Sequence, residues 1–446
     1  MMRSTVNPRI LSQISSFRRP LHAAVRRNHD SKFDWPSATV GIEAASTPPS
    51  SWYMDPLFLE TVEKQHTFKT WLNVARADQL QKDGDYISLT VNQQPILITK
   101  SQGELRAFYN VCRHHAAQIV DDNTQGNLSA HGRFVCPYHG WEYSVEGRLT
   151  KAHKMKGCQA FSAKEFGLNA LPVMQVGLFI FVNFSPARGR DIHADLPDLH
   201  TIHGMLADTQ YEQLRHVRSK QYDLQCNWKV FIDNYLDGGY HVSVAHPALA
   251  GALDLSQYKH QPLQHSYLQT CPSLPSSARL GGATACKEAL YLYQYPNVCL
   301  NRYGQWLDTN IVYPLGPERC RVLFDWYAHP SVPDSEIDRS LQESEVVQQE
   351  DIFLCERVQK GLQSDGYNVG RYAPSLEGTL LSLRAYYFLF YAVCVSRGRV
   401  LVPPVAAQGL PGLFAQQKIT LMLQFSLIIR AVSCSLFALE YTHVTL

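Results

Sequence analysis

The chain has 446 residues, about twice a comfortable single domain, so two folded units with tails are expected. Hydrophobic residues make up 45% and aromatics 11%, with 23 Tyr and 19 Phe, which excludes a disordered or low-complexity chain and points to a globular enzyme. The net charge of +2 is unevenly spread: residues 1–29 hold Arg3, Arg9, Arg18, Arg19, Arg26 and Arg27 with no acid before Asp30, leaving a body of 35 basic and 39 acidic side chains.

That Arg- and Ser-rich start lacks the long apolar core of a secretory signal, so residues 1–45 read as an organellar transit peptide and disordered arm. No basic patch with interleaved aromatics follows it, which argues against nucleic acid as a partner. The eleven cysteines are odd in number and irregularly spaced, as in a reducing compartment.

A helix starts near Trp52 and runs to about Gln65. The runs WLNVA, YISLT, PILITK and LRAFYN are then strand-length, alternate in polarity and are parted by turns. RFVCPYHGWEYS and GLFIFVNF continue the pattern, so residues 52–187 form an all-β domain. SPARGRDIHADLPDL (residues 185–199) is charged, contains proline and reads as a linker. In the second unit, residues 190–376, NWKVFIDNYLDGGYHVSVAHPAL has helical spacing, whereas EALYLYQYPNVCLNRYGQWLDTNIVYPL and RCRVLFDWYAHP alternate. SEIDRSLQESEVVQQEDIFLCERVQKGLQ is one long amphipathic helix. The expected fold of this unit is α+β, a helix-grip arrangement of antiparallel sheet with long helices. Residues 377–446 are a strongly apolar tail whose runs are broken by Arg384 and Arg430, so a membrane span is not expected.

Two constellations carry chemistry. CRHH and CPYHGW place Cys112 and His114, then Cys136 and His139, as Cys-x-His and Cys-x-x-His pairs separated by 21 residues. Each loop offers one sulfur and one nitrogen. A structural zinc usually takes Cys-x-x-Cys and His-x-His pairings, whereas a Rieske [2Fe-2S] cluster needs each loop to contribute one ligand to each iron. Trp141 is either a cover for that cluster or an ordinary core aromatic. In the second constellation, His241 and His246 follow Asp233, Asn234 and Asp237. Two imidazoles and a later carboxylate on one face leave open positions on a non-haem iron. The five-residue step between the histidines, with Gly238, Gly239 and Pro247 around it, predicts a helix that ends or bends there.

CRHHA, CPYHGW and the NWK, DNY, H-x4-H run resemble the Rieske-type ring-hydroxylating oxygenase alpha-subunit family. The resemblance implies an all-β Rieske domain joined to a catalytic domain with a mononuclear non-haem Fe(II), held by His241, His246 and the later acid Asp351. It implies an acid that bridges the two centres of adjacent subunits, and so a homo-oligomer, typically a trimer. The family places that acid three residues before the first histidine, where this chain has Gly238; Asp237 is the expected substitute and Asp233 the fallback. Over residues 52–376 the plant choline-oxidising branch is most similar, through DNYLDGGYHV, NRYGQWLDTN and QEDIFLCERVQKGLQS. This implies a chloroplast stromal enzyme that takes electrons from reduced ferredoxin and uses O2 on choline or a related small quaternary amine. A quaternary ammonium is held best by aromatic faces, for which Tyr291, Tyr293, Tyr295, Tyr303, Trp306, Trp326 and Tyr327 are candidates. The alternatives are an oxygenase or N-demethylase of another quaternary amine, or an inactive splice isoform retaining only the Rieske cluster. In that branch the pattern stops shortly after GRYAPS, so the tail reads as a splicing or gene-model product.

Overall fold

The computed structural model describes residue 33 and residues 35–128, 132–185, 191–196, 198–207, 211–263, 265–274 and 288–384. Most of the segment read as a transit peptide and the tail beyond residue 384 lie outside them. The arm expected to be disordered through residue 45 is packed over its last part: Trp35 is buried, lies 5.5 Å edge-on from Trp52, and donates its indole N–H to the Ser46 carbonyl. Phe33 and Trp35, both buried, are reason enough for this part of the arm to dock.

In chain order the first eleven strands are β1 (Trp71–Arg76), β2 (Asp85–Val91), β3 (Gln94–Ser101), β4 (Glu104–Tyr109), β5 (Thr124–Asn127), β6 (Phe134–Val135), β7 (Glu142–Tyr143), β8 (Leu149–Lys151), β9 (Ala170–Leu171), β10 (Val173–Val176) and β11 (Phe179–Asn183). They make antiparallel sheets ordered β5-β2-β3-β4-β9, β6-β7-β8 and β1-β11-β10. The hairpins β2–β3 and β3–β4 turn on two residues each, and all four have positive φ: Asn92 (47°), Gln93 (63°), Gln102 (55°) and Gly103 (75°). Such turns match the right-handed twist of the strands they join. Leu97, Phe108, Phe134, Trp141, Tyr143 and Leu149 pack together between the first two sheets, directly under Cys112 and Cys136.

The stretch expected as a linker is helical instead. A short turn at Ile192–Asp195 leads into α1 (Asp198–Ala207), and Ile192, Leu196, Leu199, Ile202 and Leu206 are all buried. Their three- and four-residue spacing is a helix face that the interspersed charges conceal. They share a core with Trp71, Phe179 and Phe181 of the sheet β1-β11-β10 and with Leu268, Leu292, Leu300, Leu307 and Tyr327 of the large sheet.

That large sheet is antiparallel, with β12 (Arg215–Leu224), β13 (Lys259–Pro262), β14 (Ser266–Pro272), β15 (Glu288–Gln294), β16 (Val298–Tyr303), β17 (Trp306–Gly316) and β18 (Arg319–Ala328) in the order β12-β18-β17-β16-β15-β14-β13. Over it lie α2 (Trp228–Leu236), α3 (Val242–Ala245), α4 (Pro247–Ala250) and the 29-residue α5 (Asp334–Leu362). Asn227 begins α2, its Oδ1 accepting from Lys229 N at 2.9 Å, and its own N–H donates to Gln359 of α5 at 2.8 Å. Asn73 fixes β1 to the large sheet: its carbonyl accepts from Asn297 Nδ2 at 3.0 Å and from the Tyr313 hydroxyl at 2.7 Å. Residues 378–384, grouped by composition with the tail, form a helical turn packed on α2, with Thr379, Leu380, Leu383 and Arg384 buried.

Candidate metal centres

The first centre is built from two matching turns. Cys112 N–H donates to the Ala117 carbonyl and Ala116 N–H to the Cys112 carbonyl; Cys136 N–H donates to Trp141 and Gly140 N–H to Cys136. Ala116 (φ 60°) and Gly140 (φ 66°), each four residues after its cysteine, reverse the chain. Each turn therefore buries its sulfur and lifts its histidine outward. Cys112 and Cys136 are buried, whereas His139 is exposed and His114 is half-buried. The imidazoles converge, Nδ1 to Nδ1, at 3.1 Å. Burial, then the neighbouring His115 and His139, hold His114 below its ordinary value, which favours the neutral ring over the charged one. Tyr143 closes the floor, its hydroxyl 3.3 Å from Cys112 Sγ and accepting from Arg113 N–H at 3.0 Å.

Trp141 belongs to the core beneath the two turns. Its ring is buried and stacked on His114 at 4.7 Å and 9°, and its indole N–H has no hydrogen-bond partner among the described residues. Two inner sulfurs, two outer nitrogens and an orphaned indole N–H beside them fit a group with sulfur at its core.

The second centre joins α2, α3 and α5. The sequence reading set Asp237 beside His241 by helical spacing, but α2 ends at Leu236 and the approach comes from a turn. Gly238 (φ 72°) and Gly239 (φ 77°) swing the chain round. Asp237 then accepts from the backbone N–H groups of Gly239, Tyr240 and His241 at 3.0, 3.2 and 3.0 Å, and meets His241 Nδ1 at 2.5 Å. No side chain fits at residue 238, because a Cβ there would lie 2.2 Å from the Leu376 carbonyl oxygen. Asp233 faces elsewhere, accepting from the Tyr53 hydroxyl at 2.7 Å and pairing with Arg384.

His241 Nε2 and His246 Nε2 lie 3.1 Å apart, and Asp351 Oδ1 is 3.4 Å from the first and 3.0 Å from the second. One donor atom from each of the three lies within 4.8 Å of the others, a set that could hold a metal ion. Burial alone would lower both histidines, but carboxylate hydrogen bonds outweigh it: Asp237 and Asp351 raise His241 to about 10, and Asp351 and Glu350 raise His246. Burial likewise opposes ionisation of Asp351, yet the two imidazoles hold it below the usual carboxylate range. The site is therefore a concentration of negative charge aimed at a cation.

Sequence reasoning missed Glu350, whose Oε2 is 2.7 Å from His246 Nδ1. The adjacent acids Glu350 and Asp351 were a signal for it: Asp351 continues the buried stripe Gln348, Cys355 and Gln359 of α5, and its neighbour falls at the stripe's edge. Each histidine thus has a carboxylate on Nδ1, which leaves Nε2 as the nitrogen that would face a bound cation once its proton is displaced.

Two family models match the chain: the Rieske [2Fe-2S] domain over residues 70–165 and the ring hydroxylating alpha subunit catalytic domain over residues 211–388. The chloroplastic choline monooxygenase of Arabidopsis thaliana is 41% identical over 344 residues, covering 75% of this chain and 80% of that protein. The same enzyme of Beta vulgaris is 34% identical, covering 75% of each. Among solved structures, a quaternary ammonium Rieske monooxygenase bound to an inhibitor is similar with a TM-score of 0.68 and 25% identity, covering 77% of this chain and 95% of that one.

Proposed function

The chain belongs to the choline monooxygenase family of Rieske non-haem iron oxygenases, which carry a Rieske [2Fe-2S] cluster and a mononuclear iron, and from that premise we propose that it oxidises choline to betaine aldehyde hydrate, the first step of glycine betaine synthesis. The observation that carries this reading is the convergence of His241, His246 and Asp351 in a chain that also holds the two Cys/His turns. One oxygen atom of O2 enters the C–H bond next to the alcohol, and the other leaves as water with two electrons and two protons. When bound, the cluster supplies single electrons and the mononuclear iron activates O2.

The residues have separable tasks in this scheme. Cys112 and Cys136 would hold one iron of the cluster and His114 and His139 the other, with Trp141 keeping water from the buried side. His241, His246 and Asp351 would hold the mononuclear iron; Asp237 and Glu350 orient the two imidazoles by accepting hydrogen bonds from their Nδ1–H groups. Asp237 would also be the bridge through which electrons from the cluster of an adjacent subunit reach the mononuclear iron in a trimer. Exposed apolar side chains beside both centres support such an assembly: Val135 and Tyr138 on the cluster turn, Tyr240 and Val244 around His241. Reduced ferredoxin is the electron donor and the chloroplast stroma the location, in keeping with the relatives named chloroplastic.

A carnitine monooxygenase oxygenase subunit of Escherichia coli, 27% identical and covered over 91% of its length, makes another quaternary amine the second reading. The test is the full chain, reconstituted anaerobically with iron and supplied with reduced ferredoxin, O2 and a panel of quaternary amines. Aldehyde from choline is the expected product. Turnover of another amine with none of choline moves the assignment to the second reading, and no turnover of any supports an inactive isoform.

A further inference from the structure

The face of the large sheet beneath α2 carries a polar and aromatic row with no part in holding metal. Gln269, Tyr291, Asn301, Asp308 and Trp326 are successive register partners across β14, β15, β16, β17 and β18, so their side chains share one face. That face looks toward α2: the Tyr235 hydroxyl lies 2.9 Å from Asn301 Oδ1, and Gln269 Nε2 donates to the Tyr235 carbonyl at 3.1 Å.

Asp308 stands in this row at 8% exposure. Asn301 Nδ2 donates to it at 2.6 Å, and no Lys, Arg or His side chain pairs with it among the described residues. Burial pushes its carboxyl up to about 7, against the pull of Asn301. An enclosed carboxylate without a cation is costly, so a fold that keeps one needs a reason. Aromatic rings share that face of the sheet. Tyr258 stacks on Tyr291 at 6.1 Å and 18°, and Tyr291 meets Tyr303 edge-on at 5.7 Å and 84°. Tyr235, Tyr258, Tyr291, Asn301 and Tyr303 are only partly buried although they lie on the covered side, so accessible space adjoins them. The Tyr258 ring occupies the place of a Cβ on Gly239, two residues before His241, which sets the rings next to the second centre.

We propose that Asp308, with the faces of Tyr258, Tyr291 and Tyr303, receives the quaternary ammonium of the substrate, the carboxylate acting as counter-ion and the rings as walls. This rests on the reading of a quaternary amine as substrate. A trimethylammonium group has no N–H to donate, so it needs net negative charge and polarisable surface rather than hydrogen-bond acceptors. Asp308 supplies the first while Asn301 holds its orientation.

The test uses the iron-loaded full chain and calorimetric titration with choline and with its neutral carbon isostere, in which a tert-butyl group replaces trimethylammonium. The intact protein is expected to bind choline in preference to the isostere. Asp308→Asn should weaken choline about tenfold, leave the isostere unchanged, and keep the iron content. Tyr291→Leu should weaken choline as well, whereas Tyr291→Phe, which keeps the ring face, should not. Unchanged choline affinity in Asp308→Asn, with the intact protein binding choline, overturns the assignment of the site while the substrate reading stands. If the intact protein binds no quaternary amine, the substrate reading fails and takes this proposal with it.

Discussion

Asp237 and Glu350 do the same thing to different imidazoles but are held very differently. Three backbone N–H groups fix Asp237 in its turn, whereas Glu350 is partly exposed on α5 and meets His246 through a single oxygen. Removing the charge at Glu350 therefore tests orientation of the ligand without dismantling the turn. Glu350→Gln retains an acceptor for the Nδ1 proton of His246 but not the charge, and iron affinity should fall by about tenfold or more with the melting temperature of the metal-free protein unchanged. Fe(II) titration of the apoprotein measures this, and unaltered affinity would reduce Glu350 to a surface acid. Asp308 gives a second prediction at this scale, from the proton it binds. Its folded value of about 7 stands above the ordinary 3.8, so the folded state binds the proton more tightly than the unfolded chain. Stability from this group is complete below the unfolded value and is lost as pH rises from about 4 to about 7. Without ligand, Asp308→Asn should gain on the intact protein across that window by an amount on the order of a few kcal/mol, levelling off above it. Thermal melts at stepped pH would show the difference, and parallel curves would mean that Asp308 is ionised in the free protein.

Between α2 and α3, two consecutive left-handed glycines bring Asp237 onto His241, and the segment from Ala373 to Arg384 lies over them. The Leu376 carbonyl fills the only volume a residue-238 side chain could use, which explains in steric terms why the acid here sits four residues before His241. Gly238→Ala combines a close approach with φ 72°, and it should cost about 2 kcal/mol or more and lower iron occupancy with it. A variant that melts normally and holds full iron would contradict this. The same segment ends in a buried charge array. Arg384 pairs with Asp233 and donates to the Lys229 carbonyl, while Lys229 pairs with Glu63 and Trp228 donates to the same acid at 2.6 Å. Deleting one partner of such an array strands a charge. Arg384→Met should destabilise by about 3–5 kcal/mol, and adding Asp233→Asn should recover part of the loss. Additive losses in denaturant melts would mean that Asp233 and Arg384 act independently.

At the scale of the molecule, what could be read in advance was whatever the chain encodes locally. Cys112, His114, Cys136 and His139, which the two turns bring together, could be singled out because residue type and spacing lie within two short segments, and the strands because period-two alternation survives in each. Glu350 left only the trace of standing next to Asp351 at the edge of the α5 stripe, since its partner lies 104 residues away. The row from Gln269 to Trp326 depends on register across five strands, which no local pattern specifies. In α1 and the turn before it, Asp191, His193, Asp195 and Asp198 disguised a buried apolar face as a linker. Composition also misplaced the end of the packed structure. Arg384 looks like an interruption in an apolar run, yet it is 1% exposed and neutralised by Asp233, and Leu380 and Leu383 beside it are buried. The edge that matters for folding should therefore fall after residue 384 rather than at residue 377. Chains ended after residues 376 and 384 separate the two. The shorter one loses two buried leucines, worth several kcal/mol together, and strands the Asp233 charge, so it should be insoluble or melt far below the full chain and retain little mononuclear iron. The longer one keeps every ion pair described around α2 and should match the full chain in both measurements. Equal behaviour of the two truncations would mean that the 378–384 turn only rests on α2, without supporting the iron-site turn beneath it.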